Sequence, residues 1–470
     1  MDYNEFIESK RHTAADFGIK CLWLPEGMFD FQKYITEYAV NKGRCGVFLD
    51  TGLGKTVIEL ATAVNYVRST NRPVLILTPL AVAFQFIREA EKFGIDDIEY
   101  SKDGRYRSKI VVCNYERLKK FNPNDFDCVI LDESSILKNF DGAIKTEVTA
   151  FMRKVKYRFL FTATPSPNDF VELGTGSEAL GYLGYSEMLT KFFSNNENNV
   201  VSTLNIGNKW YLKPHAKTDF FRWVSGWSIS MRKPSDLGFD DGPFILPELV
   251  LNYNEVKNEQ NQIVNGQILL FNGLAHTQSE VRNEQKQTIE KRCEKAVELA
   301  QGHEYTVYWC NFNAEGDLIE KLDKDARQIH GSMELEEKEE LLLAFYRGEI
   351  KKLVTKPKIT AFGLNWQRCN HTVFFPTFSY EQWYQAIRRF YRFGQKRNVI
   401  ADMVFSDGQK RVLDSLMQKT EKANELFSSL NANLHQNFDI KSQEFNRQII
   451  HPNFLSHGKR TVNNRQLRAV

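Results

Sequence analysis

Paired cysteines are missing from this chain. Its 470 residues hold seven (Cys21, Cys45, Cys113, Cys128, Cys293, Cys310 and Cys369), scattered and with no C-x-x-C pair. That spacing argues against a zinc site and against a disulfide framework. Several of the seven sit in apolar runs, where Cys acts as a small hydrophobe, and a reducing cytoplasm is the expected home. Long hydrophobic runs are absent too. None approaches the roughly 20 residues a membrane helix needs, and the opening "MDYNEFIESK" lacks the charged-then-apolar secretory pattern. No membrane partner is expected. Net charge is equally scarce: 62 Lys and Arg against 59 Asp and Glu leave +3. This excludes a uniformly basic nucleic-acid coat but not a local basic groove, which depends on distribution.

What is present is a soluble globular composition, 42% hydrophobic and 26% charged, on a chain long enough for two or three domains. Short β-rich runs alternate with helix-length amphipathic segments in two stretches. "CGVFLD", "PVLILTP", "KIVVCNY", "DCVILDE" and "YRFLFTAT" form the first set; "YTVYWCN", "KKLVTKP", "HTVFFP" and "VIADMVF" form the second. Their unbroken apolar character predicts parallel strands covered on both faces. The expected fold class is α/β with two parallel-sheet lobes, residues 1–175 and 281–430. Between them, 176–280 reads as a helical, aromatic-rich insertion and connector. Its Trp210, Tyr211, Trp223 and Trp227 suit either a core or a wedge that stacks on bases. Residues 431–470 read as a polar tail, basic at its end through Lys459, Arg460, Arg465 and Arg468; a frayed terminus and a nucleic-acid arm both fit it.

"LDTGLGKT" carries the first chemistry. Gly52 and Gly54 permit a tight turn whose N–H groups, from Thr51 through Leu53 to Thr56, face phosphate oxygens at a helix N-terminus. Lys55 reaches the β- and γ-phosphates of a nucleotide, and the Thr56 hydroxyl suits Mg²⁺. The usual G-x-x-x-x-G-K-[ST] would put Gly at position 49, where this chain has Leu49. "CVILDESS" supplies the complement, because Asp132 and Glu133 end an apolar strand. There Asp132 suits Mg²⁺ and Glu133 suits the attacking water, side by side as phosphoryl transfer requires. In "QAIRRFYRFGQKR", Arg389 and Arg392 lie three apart. On a helix they share one face and suit the role of arginine fingers; a solvated basic face is the alternative.

The ordered set of motifs resembles the superfamily-two helicases, most of all their Swi/Snf-type branch in a compact form such as phages and bacteria carry. "DTGLGKT" is similar to the family's "DEMGLGKT", "DESSILKN" to "DEAHxxKN" with Lys138 and Asn139 retained, and "FTATPSPNDFVEL" to "LTGTPxxNxxxEL". "QAIRRFYRFGQKR" is similar to "QAxxRxxRxGQ". The resemblance covers about 25–400 and implies two RecA-like P-loop lobes using ATP and Mg²⁺. It implies catalytic roles for Lys55, Asp132, Glu133, Arg389 and Arg392. It implies adenine reading by Gln32, and Gly363 and Asn365 near the nucleotide cleft. Nucleic-acid contacts fall on Thr78, Pro79, Asn114 and Tyr115, and coupling of hydrolysis to movement on Thr162 and Thr164. Ser135 stands where the family has His, which implies looser coupling. "TKPKITAF" departs from the Ser-Thr and paired glycines usual before "GLNW", so contacts from that loop are not carried over.

The function expected from this resemblance is an ATP-dependent DNA translocase or helicase. DNA, whether duplex, forked or single-stranded, is the expected partner and a monomer the expected state, in the cytoplasm or, if phage-encoded, the host's. An RNA helicase and a nucleotide-switched partner of a DNA-processing protein are the alternatives.

Overall fold

The computed structural model describes residues 17–79, 82–138, 142–195, 210–257, 262–264, 267–269, 278–359 and 366–437. The chain divides into two compact units. One runs to Gly242 and resumes at Lys422, inside the helix Lys410–Asn437; the other spans Pro243–Glu421.

The first unit contains β1 (Arg44–Leu49), β2 (Val74–Thr78), β3 (Ile98–Tyr100), β4 (Ile110–Asn114), β5 (Cys128–Leu131), β6 (Tyr157–Thr162), the hairpin strands β7 (Phe193–Asn195) and β8 (Trp210–Leu212), and β9 (Ser228–Met231). Seven of them make one sheet in the order β3-β4-β2-β5-β6-β1-β9, parallel throughout. Every residue of β2, β4, β5 and β6 is buried. Strands covered on both faces have no solvent side, which is why they read as continuous apolar runs rather than alternations. The register fixes one edge: Phe48 faces Thr162, Leu77 faces Leu131, Thr78 faces Asn114, and Leu49 faces Met231. Parallel strands all end on the same side, so the segments after β1, β2, β4, β5 and β6 emerge together there.

The second unit contains β10 (Leu249–Val256), the hairpin strands β11 (Gln262–Val264) and β12 (Gln267–Leu269), β13 (Thr306–Trp309), β14 (Ala326–Gln328), β15 (Lys352–Thr355), β16 (His371–Phe374) and β17 (Val399–Ser406). Its six-stranded sheet, β10-β17-β16-β13-β15-β14, is also parallel throughout. The two parallel sheets expected from sequence are therefore present. Inside this unit Arg292 and Glu315, both fully buried, pair at 2.7 Å, and His371 bridges Thr306 and Asp402 at 2.9 Å on each side.

The aromatic stretch resolves as core. The helix Lys217–Trp227 and β9 belong to the first unit, where Phe220, Phe221, Trp223 and Trp227 share one hydrophobic cluster with Phe48, Leu75 and Leu160. Trp227 is 1% exposed; Trp210 and Tyr211 are half-buried. Leu426, Phe427 and Leu430 join the same cluster, and the Arg232 guanidinium lies 4.4 Å from the Phe427 ring centre. All seven cysteines are unpaired and six are buried. Burial pushes the Cys113, Cys293 and Cys369 thiols up to about 12, so they are inert hydrophobes rather than nucleophiles. Among the described residues no helix is long and apolar enough to cross a membrane. The basic tail residues Lys459, Arg460, Arg465 and Arg468 lie outside the described residues.

Candidate active site

The loop Asp50–Gly54 leaves β1 and opens the helix α1 (Lys55–Thr70), with Gly54 as its N-cap. Gly52 and Gly54 sit at φ +88° and +79°, the left-handed region that suits glycine. A Cβ at Gly54 would also lie 2.3 Å from Gln32 Nε2, so a side chain there would displace the Gln32 amide from the loop. Thr51 N donates to Asp50 Oδ1 at 2.6 Å, and Lys55 Nζ donates to the Leu49 and Asp50 carbonyls at 3.0 and 3.4 Å. Leu53 is buried; Thr51, Gly52, Gly54, Lys55 and Thr56 are half-buried. Gln32, 6% exposed, binds this loop: Nε2 donates to the Leu53 carbonyl at 3.0 Å while Oε1 accepts from Phe29 N at 2.9 Å.

Asp132 and Glu133 follow β5 at the same edge. Thr78 Oγ1 donates to Asp132 Oδ2 at 2.9 Å, and Tyr115 Oη donates to the Asp132 carbonyl at 2.5 Å. Burial, then the charge of Glu133, pushes the Asp132 carboxyl up to about 6 against the pull of the Thr78 hydrogen bond and Lys55. Glu133 has φ +53°; among the described non-glycine residues only Asn71 shares a positive φ. Such a conformation costs on the order of 1 kcal/mol or more and persists where the surroundings hold it. Here the hydroxyls of Thr162 and Ser135 hold it, both donating to Glu133 Oε1, at 3.0 and 3.2 Å. Thr164 N donates to Thr162 Oγ1 at 3.0 Å. The chain thus runs from the segment after β6, through Thr162, to Glu133, and Ser135 takes part where the family pattern has His.

The structure gathers Gln32, Lys55, Thr56, Asp132, Glu133 and Thr162 at one sheet edge of the first unit. Thr78 and Asn114 end β2 and β4 there and Tyr115 follows, but all three are 3% exposed or less and turn inward. Thr78 and Tyr115 hold Asp132, and Asn114 Oδ1 accepts from Tyr100 Oη at 2.6 Å. Pro79, half-buried, follows Thr78, and its carbonyl accepts from Val82 N at 3.0 Å.

Arg389 and Arg392 belong to the second unit and do not share a helix. The helix Tyr380–Ile387 ends before them, and both lie half-buried in the following turns. Buried Gln395 holds the turns that follow: its Nε2 donates to the carbonyls of Phe390, Gln367 and Cys369 at 3.0–3.2 Å, and Gly394 sits at φ +90°. Gly363, Asn365 and Asn139 lie outside the described residues.

Sequence reasoning passed over Glu59, four residues beyond Lys55 on α1. It is fully buried, and neither carboxyl oxygen has a hydrogen-bond partner among the described residues. Burial, then the charge of Asp132, holds its carboxyl well above the usual range, while Lys55 pulls it back. The signal was present: a single charge inside the apolar "TVIELATAV".

The donor set fits Mg²⁺. No group of three or more His, Cys, Asp or Glu able to cage a metal exists among the described residues. A hydroxyl (Thr56) and a carboxylate (Asp132) beside a glycine cradle suit a hard cation that takes one or two protein oxygens and completes its shell with phosphates and water.

Residues 28–167 match the family model for the type III restriction enzyme res subunit, and residues 288–394 that for the helicase conserved C-terminal domain. The mouse DNA annealing helicase and endonuclease ZRANB3 is 29% identical over 196 residues, 37% of this chain and 18% of the mouse protein. The SWI/SNF-related matrix-associated actin-dependent regulator of chromatin subfamily A-like protein 1 of Xenopus tropicalis is 26% identical over 163 residues, 32% of this chain and 17% of its own. The matched part of this chain thus spans under a fifth of the length of these curated relatives. The Sulfolobus solfataricus SWI2/SNF2 ATPase core, solved in complex with dsDNA, aligns over 88% of this chain and 96% of its own. Identity there is 17% and the TM-score 0.40.

Proposed function

We propose that the chain is a superfamily-two helicase of the Swi/Snf-type branch, a reading supported by the two family matches and the curated relatives, and that it hydrolyses ATP to move along, remodel or unwind DNA. The observation that carries this reading is the convergence of Lys55, Thr56, Asp132 and Glu133 at one edge of one parallel sheet, with Thr162 linked to Glu133. The relatives' names point the same way for the substrate, and a monomer acting on DNA is the reading we adopt.

In this proposal the N–H groups of Thr51 to Thr56 and the Lys55 ammonium receive the phosphates of ATP. Thr56 and Asp132 hold Mg²⁺, which when bound neutralises charge on the phosphates. Glu133, aimed by Ser135 and Thr162, accepts the proton of the attacking water. Gln32 reads adenine, and because its amide already binds the loop carbonyl of Leu53, base recognition is transmitted to the loop that binds phosphate. Gly363 and Asn365 are assigned to the same nucleotide site. Arg389 and Arg392 stabilise the charge that develops during hydrolysis. Thr78, Pro79, Asn114 and Tyr115 place the ends of β2 and β4 for contact with the nucleic-acid backbone. Phosphate contacts carry no sequence information and so permit sliding. Thr78 and Tyr115 also tie those strand ends to Asp132, a direct path between the two ligands.

Steady-state ATP hydrolysis tests the reading, measured at fixed salt without nucleic acid and then with single-stranded, duplex and forked DNA and with RNA. Stimulation by DNA that vanishes in Lys55→Ala is expected. Stimulation by RNA alone would replace the substrate, and indifference to every nucleic acid would leave a nucleotide-switched partner protein.

Two narrower results are expected. Arg392→Ala lowers turnover at least about tenfold while nucleotide still binds; lost binding together with lost structure would make Arg392 structural instead. The second concerns pH. A carboxyl pushed up to about 6 is neutral below that value and holds a cation poorly. At subsaturating Mg²⁺, nucleotide affinity should therefore fall about tenfold per unit as pH drops below 6. A midpoint near 4, as for an unperturbed Asp, would contradict the described surroundings of Asp132.

A further inference from the structure

Glu59 is a fully buried carboxyl on α1 with no part in the proposed hydrolysis. It lies one helical turn beyond Lys55, and i and i+4 share a face of α1, so it lies beneath the residue assigned to phosphate. It is 0% exposed, and neither oxygen meets a donor among the described residues. The charges of Asp132, Lys55 and Glu133 all act on it, and its own acts on Tyr115, whose hydroxyl holds the Asp132 carbonyl. A sealed carboxyl without a partner is expensive, and at a purely structural position on an apolar helix a Leu would serve better. Asp132 and Glu133 are held by the hydroxyls of Thr78, Ser135 and Thr162, whereas no donor among the described residues meets Glu59. Two buried acceptor oxygens that lack a donor, one helical turn from Lys55, are complementary in hydrogen bonding to the water of a hydrated cation.

We propose that Glu59 is a positioning residue of the nucleotide site, whose carboxyl accepts a hydrogen bond from water in the shell of the divalent cation held by Thr56 and Asp132. This rests on the nucleotide reading above. It adds a third oxygen-bearing side chain that fixes the cation without ligating it, acting through water at the back of the phosphate loop. Tyr115, within reach of the charge on Glu59 and bonded to the Asp132 main chain, lies on the same path to the end of β4.

The test uses the full chain and the variants Glu59→Leu and Glu59→Gln, with a fluorescent ATP analogue as probe. Binding is measured across a Mg²⁺ titration and again in EDTA, and Mn²⁺ bound alongside the analogue is followed by electron paramagnetic resonance. Expected for Glu59→Leu is a folded protein with unchanged analogue affinity in EDTA. Its half-saturating Mg²⁺ should rise about tenfold, the Mn²⁺ spectrum should broaden, and kcat should fall more than KM changes. Glu59→Gln, which keeps one acceptor oxygen, should fall between the parent and Glu59→Leu. If Glu59→Leu does not fold, Glu59→Gln carries the comparison alone. Parent-like Mg²⁺ dependence and Mn²⁺ spectra in the folded variants would overturn the assignment and leave Glu59 structural. A parent chain that binds the analogue with no dependence on Mg²⁺ would sink the metal–nucleotide reading itself, which the variants by themselves cannot do.

Discussion

Glu133→Gln is expected to lower ATP turnover about a thousandfold while the protein stays folded and still binds nucleotide. The substitution keeps the size and planarity of the side chain and one oxygen able to accept from Ser135 and Thr162. The two hydroxyls that hold Oε1 thus retain an acceptor, and the main chain at φ +53° is not asked to change. What is lost is the negative charge that takes a proton from the attacking water. Lys55→Ala should lower turnover comparably by another route, through weaker phosphate binding, since its Nζ donates to the main-chain carbonyls of Leu49 and Asp50 rather than to a side chain. The two variants separate in a binding titration: Glu133→Gln holds the fluorescent analogue and Lys55→Ala loses it. Turnover within threefold of the parent in Glu133→Gln would remove Glu133 from the reaction.

Trp227→Ala should be the costliest single truncation in the first unit, about 3–5 kcal/mol of unfolding free energy. Its ring packs edge-on against Phe48 of β1 at 6.0 Å and lies 5.6 Å from Trp223 and 6.4 Å from Tyr182. Truncation opens a cavity under the strand that leads into the phosphate loop. Trp227→Phe should recover more than half of the loss. Denaturant unfolding followed by circular dichroism measures both. A residue that stacked on bases instead would show the opposite pair of results, unchanged unfolding and weakened DNA stimulation. A loss under about 1 kcal/mol in Trp227→Ala would return the aromatic stretch to that role.

The parallel lobes were legible because strands covered on both faces carry no polar alternation, and "PVLILTP" or "DCVILDE" has little else to be. The phosphate loop was legible for a second local reason: Gly52 and Gly54 must adopt positive φ, and a turn that needs two such positions leaves its mark in the letters. The Asp132–Glu133 pair at a strand end is local as well. Arg389 and Arg392 show the limit of that logic. Spacing by three suggests one helical face, but the helix stops at Ile387, and the turns that follow are held by buried Gln395, which takes the carbonyls of Phe390, Gln367 and Cys369.

What the letters determined by themselves, then, is everything that depends on neighbours within a turn or a strand: the strand runs, the glycine cradle, the acid pair and the order of the motifs. Only the tertiary structure decided which residues meet. Thr78 reaches Asp132 across 54 residues of chain and Thr162 reaches Glu133 across 29. Trp227 packs into the first unit because β9 pairs with β1. Glu59 matters because α1 turns it inward beneath Lys55 and Asp132. Strand order and register set these meetings. They follow from how whole faces bury against one another, a balance summed over the entire unit that no single stretch of sequence contains.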